Sequence, residues 1–308
     1  MAAMLVYDAV IEELSKTIVG QDEAIQKLAV VTELFALKTL RYQTNPDLIE
    51  NDTTPNINIF VTGKTGTGKT YMLQQLANLL DCKFHRIDCS LLTPEGYVGY
   101  NVSDAFKPLD CVKHAIVMLD EMDKLAINGG DNQKGYAAQT QAALLDILDG
   151  NKTKGDKYTL YPNTWLVVCA GSFQSSIRED RTRGPIGFNT TVDAVKEVSR
   201  RKDPRSILAD SNLIPEIVGR LVDVIETKPL SVEDIYNLLT TKTNSAYDKY
   251  LKLIRSFSLS DSDLYDIAKA AHESPYGLRA LDSIIFNYAA EHLKNRAAKK
   301  VKLLEIGK

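Results

Sequence analysis

The sequence has few cysteines and no long apolar run. Its four cysteines among 308 residues include no Cys-x-x-Cys pair, which argues against a zinc knuckle and against the disulfide framework of a secreted protein. Nowhere do roughly 18 apolar residues follow one another, and no basic segment precedes the first apolar residues. We therefore expect a soluble, cytoplasmic protein with no membrane span and no bound zinc.

An excess of positive charge is also missing. Lys and Arg total 37 against 40 Asp and Glu, which leaves a formal net charge of −3. Because a nucleic-acid backbone is held by a basic surface, nucleic acid is not an expected partner. The contents of charged (25%) and hydrophobic (44%) residues are those of an ordinary globular protein, and the length predicts about two domains.

Short apolar runs alternate with helical patterns over most of the chain. This alternation predicts an α/β fold with a parallel sheet covered by helices on both faces. Residues 21–42 have helical spacing, and residues 45–56 (NPDLIENDTTPN) are predicted to be a connector. The predicted strands are INIFVT (57–62), KFHRID (83–88), AIVML (115–119), WLVVCA (165–170) and LVDVI (221–225).

The pattern changes after about Lys228. Three helical patterns follow, in residues 230–242, 261–273 and 277–299, with Ser or Asp near their starts. The last apolar run, VKLLEI (301–306), favours one closing strand. We therefore predict a large α/β domain over residues 1–228 and a small, mainly helical domain over residues 229–308.

A glycine-rich loop directly follows the first predicted strand and leads into a helical pattern. It fits G-x-x-x-x-G-K-[ST], in which backbone N–H groups and a helix N-terminus surround phosphates. This pattern predicts that Lys69 reaches the β and γ phosphates of ATP and that the Thr70 hydroxyl binds Mg²⁺. The loop consists of Gly63, Lys64, Thr65, Gly66, Thr67, Gly68, Lys69 and Thr70.

Two carboxylates follow the third predicted strand, fifty residues after the loop. Asp120 is predicted to bind Mg²⁺, and Glu121 to orient and deprotonate the attacking water. Both would lie at the carboxyl edge of the sheet, where ligands of such folds bind. An acidic helix cap is the alternative for a pair of this kind.

These two motifs occur together with IVGQ (18–21), GYVG (96–99), GPIGF (184–188) and LIPEIVGRL (213–221). The set resembles the ClpX family of AAA+ protein unfoldases, and the resemblance covers nearly the whole chain from about residue 10. It implies the AAA+ P-loop NTPase fold and a homo-hexameric ring. Such a ring hydrolyses ATP with Mg²⁺, unfolds polypeptide substrates and delivers them to a ClpP-like peptidase.

The resemblance also assigns further residues to the nucleotide site. It places Val19 and Gly20 beside the adenine and Ser172 in the sensor-1 region. Arg220 is implied to be an arginine finger that reaches the γ-phosphate in a neighbouring subunit, so that each site would need two copies. A surface salt bridge is the alternative for Arg220.

Two further strings correspond to the family's loops for substrate and partner. Tyr97 and Val98 match the pore loop that grips an extended polypeptide, and the alternative for Tyr97 is packing at a turn. Ile186-Gly187-Phe188 matches the loop that docks into apolar pockets of ClpP, and a loop directed into the core is the alternative.

The sequence departs from the family at three places. It has no counterpart of the N-terminal zinc-binding domain, and residues 151–164 lack the Arg-Lys-His string that recruits some substrates. Where the family has its sensor-2 arginine, this chain has Tyr276. Arg279 lies one helical turn further on, and we consider it as the replacement that binds nucleotide.

Two other functions agree with parts of this pattern. A nucleic-acid remodeller or helicase loader also uses an AAA+ module, although GYVGYN contains no basic residue. The missing recognition domain and sensor-2 arginine also fit a regulator or inhibitor of a host ClpX–ClpP system with weak ATPase activity.

Overall fold

The computed structural model describes residues 6–93, 100–125, 131–155, 158–172, 205, 208, 213–241 and 245–306. Its central sheet has five strands in the order β2-β3-β4-β1-β5, and all neighbours are parallel. The strands are β1 (Asn58–Thr62), β2 (Lys83–Asp88), β3 (Ala115–Asp120), β4 (Trp165–Gly171) and β5 (Asp223–Glu226). Each overlaps one predicted apolar run, so the predicted parallel sheet is confirmed.

Helices surround this sheet and continue after it. Two minor strand pairs also occur, Leu92–Thr93 with Tyr100–Asn101 and Thr153–Lys154 with Thr159–Leu160. The described helices are α1 (Val6–Thr17), α2 (Asp22–Thr44), α3 (Leu48–Asn51), α4 (Lys69–Leu79), α5 (Val102–Phe106), α6 (Asp131–Ala143), α7 (Leu145–Leu148), α8 (Pro215–Gly219), α9 (Val232–Thr241), α10 (Ala246–Leu253), α11 (Asp261–Glu273) and α12 (Ala280–Ile306). Short 3₁₀ turns span Cys89–Leu91, Lys107–Leu109, Met122–Lys124, Pro162–Thr164 and Gly277–Arg279.

The central strands are apolar on both sides because both faces of the sheet are covered. Strands β1, β3 and β4 are buried along their whole length. Alternate side chains point to opposite faces, so Phe60 and Val117 join one core while Ile59 and Ile116 join the other. Burial of each such side chain contributes roughly 1.5–3 kcal/mol to the stability of the fold, and this stabilises the sheet that carries the loops at its carboxyl edge.

The helix predicted from residues 21–42 is confirmed as α2. Its side chains at helical spacing, Ala24, Leu28, Val31 and Phe35, are all buried against the sheet. The following segment is not only a connector, because it contains the one-turn helix α3. Its Ile49 is buried, and this local packing explains why the apolar pair within a polar segment becomes helical.

A third hydrophobic core consists of residues from Leu230 to Ala289. Helices α9, α11 and α12 correspond to the three predicted helical patterns, and Ser260 with Asp263 forms a capping box at the start of α11. Helix α10 is not among the predicted helical patterns. Among the described helices, none has the length and apolar character needed to cross a bilayer.

The predicted closing strand at residues 301–306 is wrong. These residues form the last turns of α12, which continues to Ile306. Neither glycine nor proline interrupts the chain between Ala280 and Ile306, and the segment is rich in Ala, Lys and Leu. Because these residues favour helix and a strand would need a partner, the helix simply continues.

Candidate nucleotide-binding site

The glycine-rich loop connects β1 to α4. Gly66 and Gly68 have φ angles of 81° and 91°, a region that side chains with a Cβ rarely adopt. The Thr67 hydroxyl donates to the Lys64 carbonyl at 2.9 Å, which closes the turn. A Cβ at Gly68 would have no heavy atom within 4 Å, so the loop is open at this position.

Lys69, the first residue of α4, points back into the loop. Its Nζ donates to the carbonyl oxygens of Gly63 at 2.7 Å and Lys64 at 3.0 Å. Burial lowers the pKa of Lys69, whereas the negative charges of Asp120 and Asp123 raise it. The ammonium group is therefore positioned at the loop and interacts electrostatically with the carboxylates opposite.

Three carboxylate residues, at positions 120, 121 and 123, lie where β3 ends. Asp120 is 7% exposed, and its Oδ1 accepts the Glu121 backbone N–H at 3.0 Å while its Oδ2 accepts the Nε–H of Arg86 at 2.7 Å. Glu121 has a left-handed backbone with φ 58°, an uncommon conformation for a residue that is not glycine. Asp123 accepts the Ser172 backbone N–H at 3.2 Å, which joins the ends of β3 and β4.

The loop, the carboxylates and the later helices enclose a cavity of about 890 Å³. Its size is within the usual range for small-molecule and cofactor sites. Carboxylate and hydroxyl oxygens are the ligands that Mg²⁺ prefers, and Thr70, Asp120 and Glu121 supply them. The predicted residues that line it are Val19, Thr65, Gly66, Thr67, Gly68, Lys69, Thr70, Asp120, Glu121, Ser172 and Arg279.

The N-terminal IVGQ string packs where the sheet region meets the helices. The Gln21 side chain donates to the Lys228 carbonyl at 2.7 Å and accepts the Lys228 N–H at 2.9 Å. Gly20 has φ 68°, and a Cβ there would lie 2.8 Å from Leu230 and Asp234 atoms. This close contact requires glycine and holds Val19 at the cavity wall.

Residues 274–279, which correspond by resemblance to the family's sensor-2 region, pack against the glycine-rich loop. A Cβ at Gly66 would be 2.5 Å from the Tyr276 carbonyl oxygen, so the two backbones touch. The Tyr276 side chain itself is 66% exposed. Arg279, in contrast, lines the cavity, and its positive charge contributes to lowering the pKa of Lys69.

Replacing Arg279 with Ala is expected to weaken nucleotide binding roughly tenfold, because a charge-assisted contact to phosphate contributes about 1.5–3 kcal/mol before solvent screening. Affinity for labelled ADP and the ATPase rate measure this effect. Arg255→Ala is the matched control, since Arg255 is an exposed arginine of the helical region that does not line the cavity. Unchanged affinity in the Arg279 variant would exclude it as the replacement for the missing arginine.

Arg220 lies outside the cavity wall formed by the described residues of its own chain. Its guanidinium binds Asp149 with two hydrogen bonds of 2.6 and 2.8 Å and also donates to the Glu216 carbonyl at 2.8 Å. The Asn58 side chain donates to its backbone carbonyl at 3.2 Å. The structure thus includes the intrachain salt bridge considered as the alternative, and the role in a neighbouring subunit stays a prediction.

Several residues of the cavity wall are not among the predicted site residues. Asp123 is signalled by its position three residues after Asp120. No local signal identifies Leu238, Lys249 or Leu281, because their place depends on how α9, α10 and α12 pack. Five predicted residues lie outside the described ranges, namely Tyr97, Val98, Ile186, Gly187 and Phe188.

Comparison with known proteins places this site in a class. The sequence profile of AAA, the ATPase family associated with various cellular activities, matches residues 59–186. This range begins within β1 and includes the glycine-rich loop (residues 63–70), the carboxylates at the end of β3, and β4. With its five-stranded parallel sheet and following helices, the chain has the fold of the AAA+ ATPases, a class of nucleotide-binding enzymes that hydrolyse ATP.

Over most of its length the chain is similar to ClpX, the ATP-binding subunit of ATP-dependent Clp protease, as the motifs predicted. ClpX of Porphyromonas gingivalis is 26% identical over 330 residues, covering 96% of this chain and 79% of that protein. ClpX of Bacteroides fragilis is 28% identical, covering 88% and 72%. ClpX 2 of Wolinella succinogenes is 28% identical, covering 74% and 63%.

Proposed function

We propose that this chain is an ATP-driven protein unfoldase that acts as a hexameric ring and delivers polypeptides to a ClpP-like peptidase. The observation that carries the proposal is the similarity to ClpX, which extends through 96% of the chain and so includes more than the ATPase profile. The GYVG and GPIGF strings support it at the level of sequence.

The nucleotide in this proposal is ATP with Mg²⁺. The backbone N–H groups of residues 63–70 and Lys69 would hold the phosphates, and Thr70 with Asp120 would hold Mg²⁺. Bound Mg²⁺ supplies positive charge that neutralises the phosphates. Val19 and Gly20 would lie beside the base, with Ser172 and Arg279 as further nucleotide contacts.

Glu121 is the proposed general base. Glu121 lines the same cavity as Lys69, and the Asp120 side chain accepts its backbone N–H. Arg220 is the proposed finger for a neighbouring copy. Among the described residues Arg220 does not line the cavity of its own chain, which agrees with a role at the site of a neighbouring copy.

The proposal also includes two domains, a large α/β domain over residues 1–228 and a small helical domain over residues 229–308. The third core supports this boundary because its first residue is Leu230. The cavity lies between the two proposed domains, since both the phosphate loop and helices α9, α10 and α12 line it. Nucleotide bound in this cavity would contact both proposed domains.

Replacing Tyr97 with Ala is expected to slow ATP-dependent unfolding roughly tenfold, since loss of a large aromatic contact costs about 1–2 kcal/mol. The measurement uses a fluorescent folded protein with an unstructured tail, first alone and then with ClpP. Fluorescence loss reports unfolding, and peptide release with ClpP reports delivery. The rate of ATP hydrolysis should stay within about threefold of that of the unmodified chain, because Tyr97 belongs to no nucleotide-binding motif.

Tyr100→Ala is the matched control for that experiment. Tyr100 is a neighbouring tyrosine, 47% exposed, and its hydroxyl donates to the Asp104 carbonyl. Equal slowing by both variants would contradict a specific grip by Tyr97. Intact ATP hydrolysis by the unmodified chain with no unfolding of any tailed substrate would contradict the proposed function, and salt-sensitive DNA binding would then favour a nucleic-acid remodeller.

A further inference from the structure

Arg86 forms an ion pair with the carboxylate that ends β3. Arg86 lies on β2, the edge strand, in register with Met118 of β3. Its Nε donates to Asp120 Oδ2 at 2.7 Å, and the side chains of Arg86 and Asp120 are 42% and 10% exposed. The cation therefore approaches the carboxylate from the solvent-accessible edge of the sheet.

Both oxygens of this carboxylate are engaged within the chain. Oδ1 accepts the Glu121 N–H, and Oδ2 accepts the bond from Arg86. A divalent ion at Asp120 would share the carboxylate with a fixed positive charge.

We propose that Arg86 competes with Mg²⁺ for Asp120 and thereby sets how much Mg²⁺ the site needs to bind nucleotide. The inference rests on the proposed role of Asp120 in holding Mg²⁺. Two cations beside one carboxylate repel each other, and each reduces the attraction available to the other. Because the Arg86 side chain is partly exposed, solvent screens the repulsion, and the effect is moderate.

If Arg86 instead orients Asp120, removal of the guanidinium is expected to change the Mg²⁺ requirement in the opposite direction. If Arg86 only held Asp120 in the orientation that Mg²⁺ requires, removal of the guanidinium would raise the Mg²⁺ requirement, because the freed carboxylate would rotate. Competition predicts that removal lowers it. The direction of the change therefore decides between the two roles.

The test is equilibrium binding of fluorescently labelled ADP at increasing MgCl₂, with EDTA as the metal-free reference. Arg86→Met keeps an unbranched stem without the charge. It is expected to lower the half-saturating MgCl₂ concentration roughly three- to tenfold while changing the affinity in EDTA less. Arg86→Gln should act in the same direction, and Arg86→Lys should stay near the original value. An unchanged or raised Mg²⁺ requirement in both neutral variants would overturn the inference.

Lys83→Met is the matched control. Lys83 is on the same strand, about 10 Å from Arg86 along β2, and its ammonium donates to the Pro108 carbonyl instead. This variant removes one positive charge from β2 and should leave the Mg²⁺ requirement unchanged. Since the readout is metal-dependent binding of ADP, a chain that binds Mg²⁺ and ADP as expected but unfolds no substrate would contradict the proposed function while the Arg86 inference stands.

Discussion

Replacing Glu121 with Gln is expected to lower ATP hydrolysis at least about a hundredfold and to leave nucleotide affinity within about threefold. A positioned general base contributes roughly 10²–10⁴-fold to a rate, and the amide cannot accept the proton. Gln has nearly the volume of Glu, and the same backbone supports both, so the fold should be retained. Steady-state hydrolysis and equilibrium binding of labelled ATP measure the two effects separately.

Asp123→Asn is the matched control for this substitution. It makes the same carboxylate-to-amide change on the same cavity wall, and Asp123 bonds to the Ser172 backbone. A smaller loss of ATP hydrolysis is expected, because the amide oxygen of Asn can still accept the Ser172 N–H. Equal loss of hydrolysis in the two variants would contradict a specific role for Glu121 as the base.

The Glu121→Gln variant also tests assembly. With hydrolysis blocked, ATP should hold the subunits together for longer, so the mass of the particle in solution is expected to rise to that of a ring when ATP is added. Light scattering with and without ATP measures this change. A particle that stays monomeric at every protein and ATP concentration would contradict the proposed ring.

Replacing Arg220 with Ala is expected to lower ATP hydrolysis at least about a hundredfold, since an arginine finger contributes roughly 10³–10⁵-fold in kcat where it has been isolated. The effect on stability should be small. The pair with Asp149 is partly exposed, with side-chain exposures of 30% and 37%, and such pairs contribute about 1 kcal/mol or less. A large loss of rate with a nearly unchanged thermal midpoint is therefore the expected combination.

Mixing variants tests whether Arg220 acts in a neighbouring copy. An Arg220→Ala subunit retains Glu121, and a Glu121→Gln subunit retains Arg220. Where the second adjoins the first in the right order, one intact site forms, so the mixture should hydrolyse ATP faster than the sum of the separate variants. Absence of this recovery would contradict a site completed by a second copy.

Arg41→Ala is the matched control for Arg220→Ala. Arg41 is 53% exposed in its side chain and pairs at 3.7 Å with Asp52, whose side chain is 2% exposed, so it represents an intrachain salt bridge away from the proposed finger. It should leave hydrolysis unchanged. If Arg220→Ala behaves in the same way and the chain stays monomeric, Arg220 is only a surface salt bridge.

The sheet was predictable because its strands have a distinctive local signal. Strands covered on both faces are apolar without interruption, as in AIVML and WLVVCA, and the alternation of such runs with helical patterns favours a parallel sheet. The glycine loop was equally predictable, since its φ angles require glycine at Gly66 and Gly68. Residues 301–306 were not predictable by the same rule, because a short apolar run also suits the end of a long helix.

The sequence by itself determined the five strands of the sheet, the glycine-rich loop and the acidic end of β3, because each depends on neighbouring residues. Tertiary structure alone decided the pairing of Arg86 with Asp120, 34 positions apart, and of Arg220 with Asp149, 71 positions apart. It also decided that Arg279, and not Tyr276, lines the cavity. Such contacts depend on the packing of distant elements, and a local pattern of residue types does not encode them.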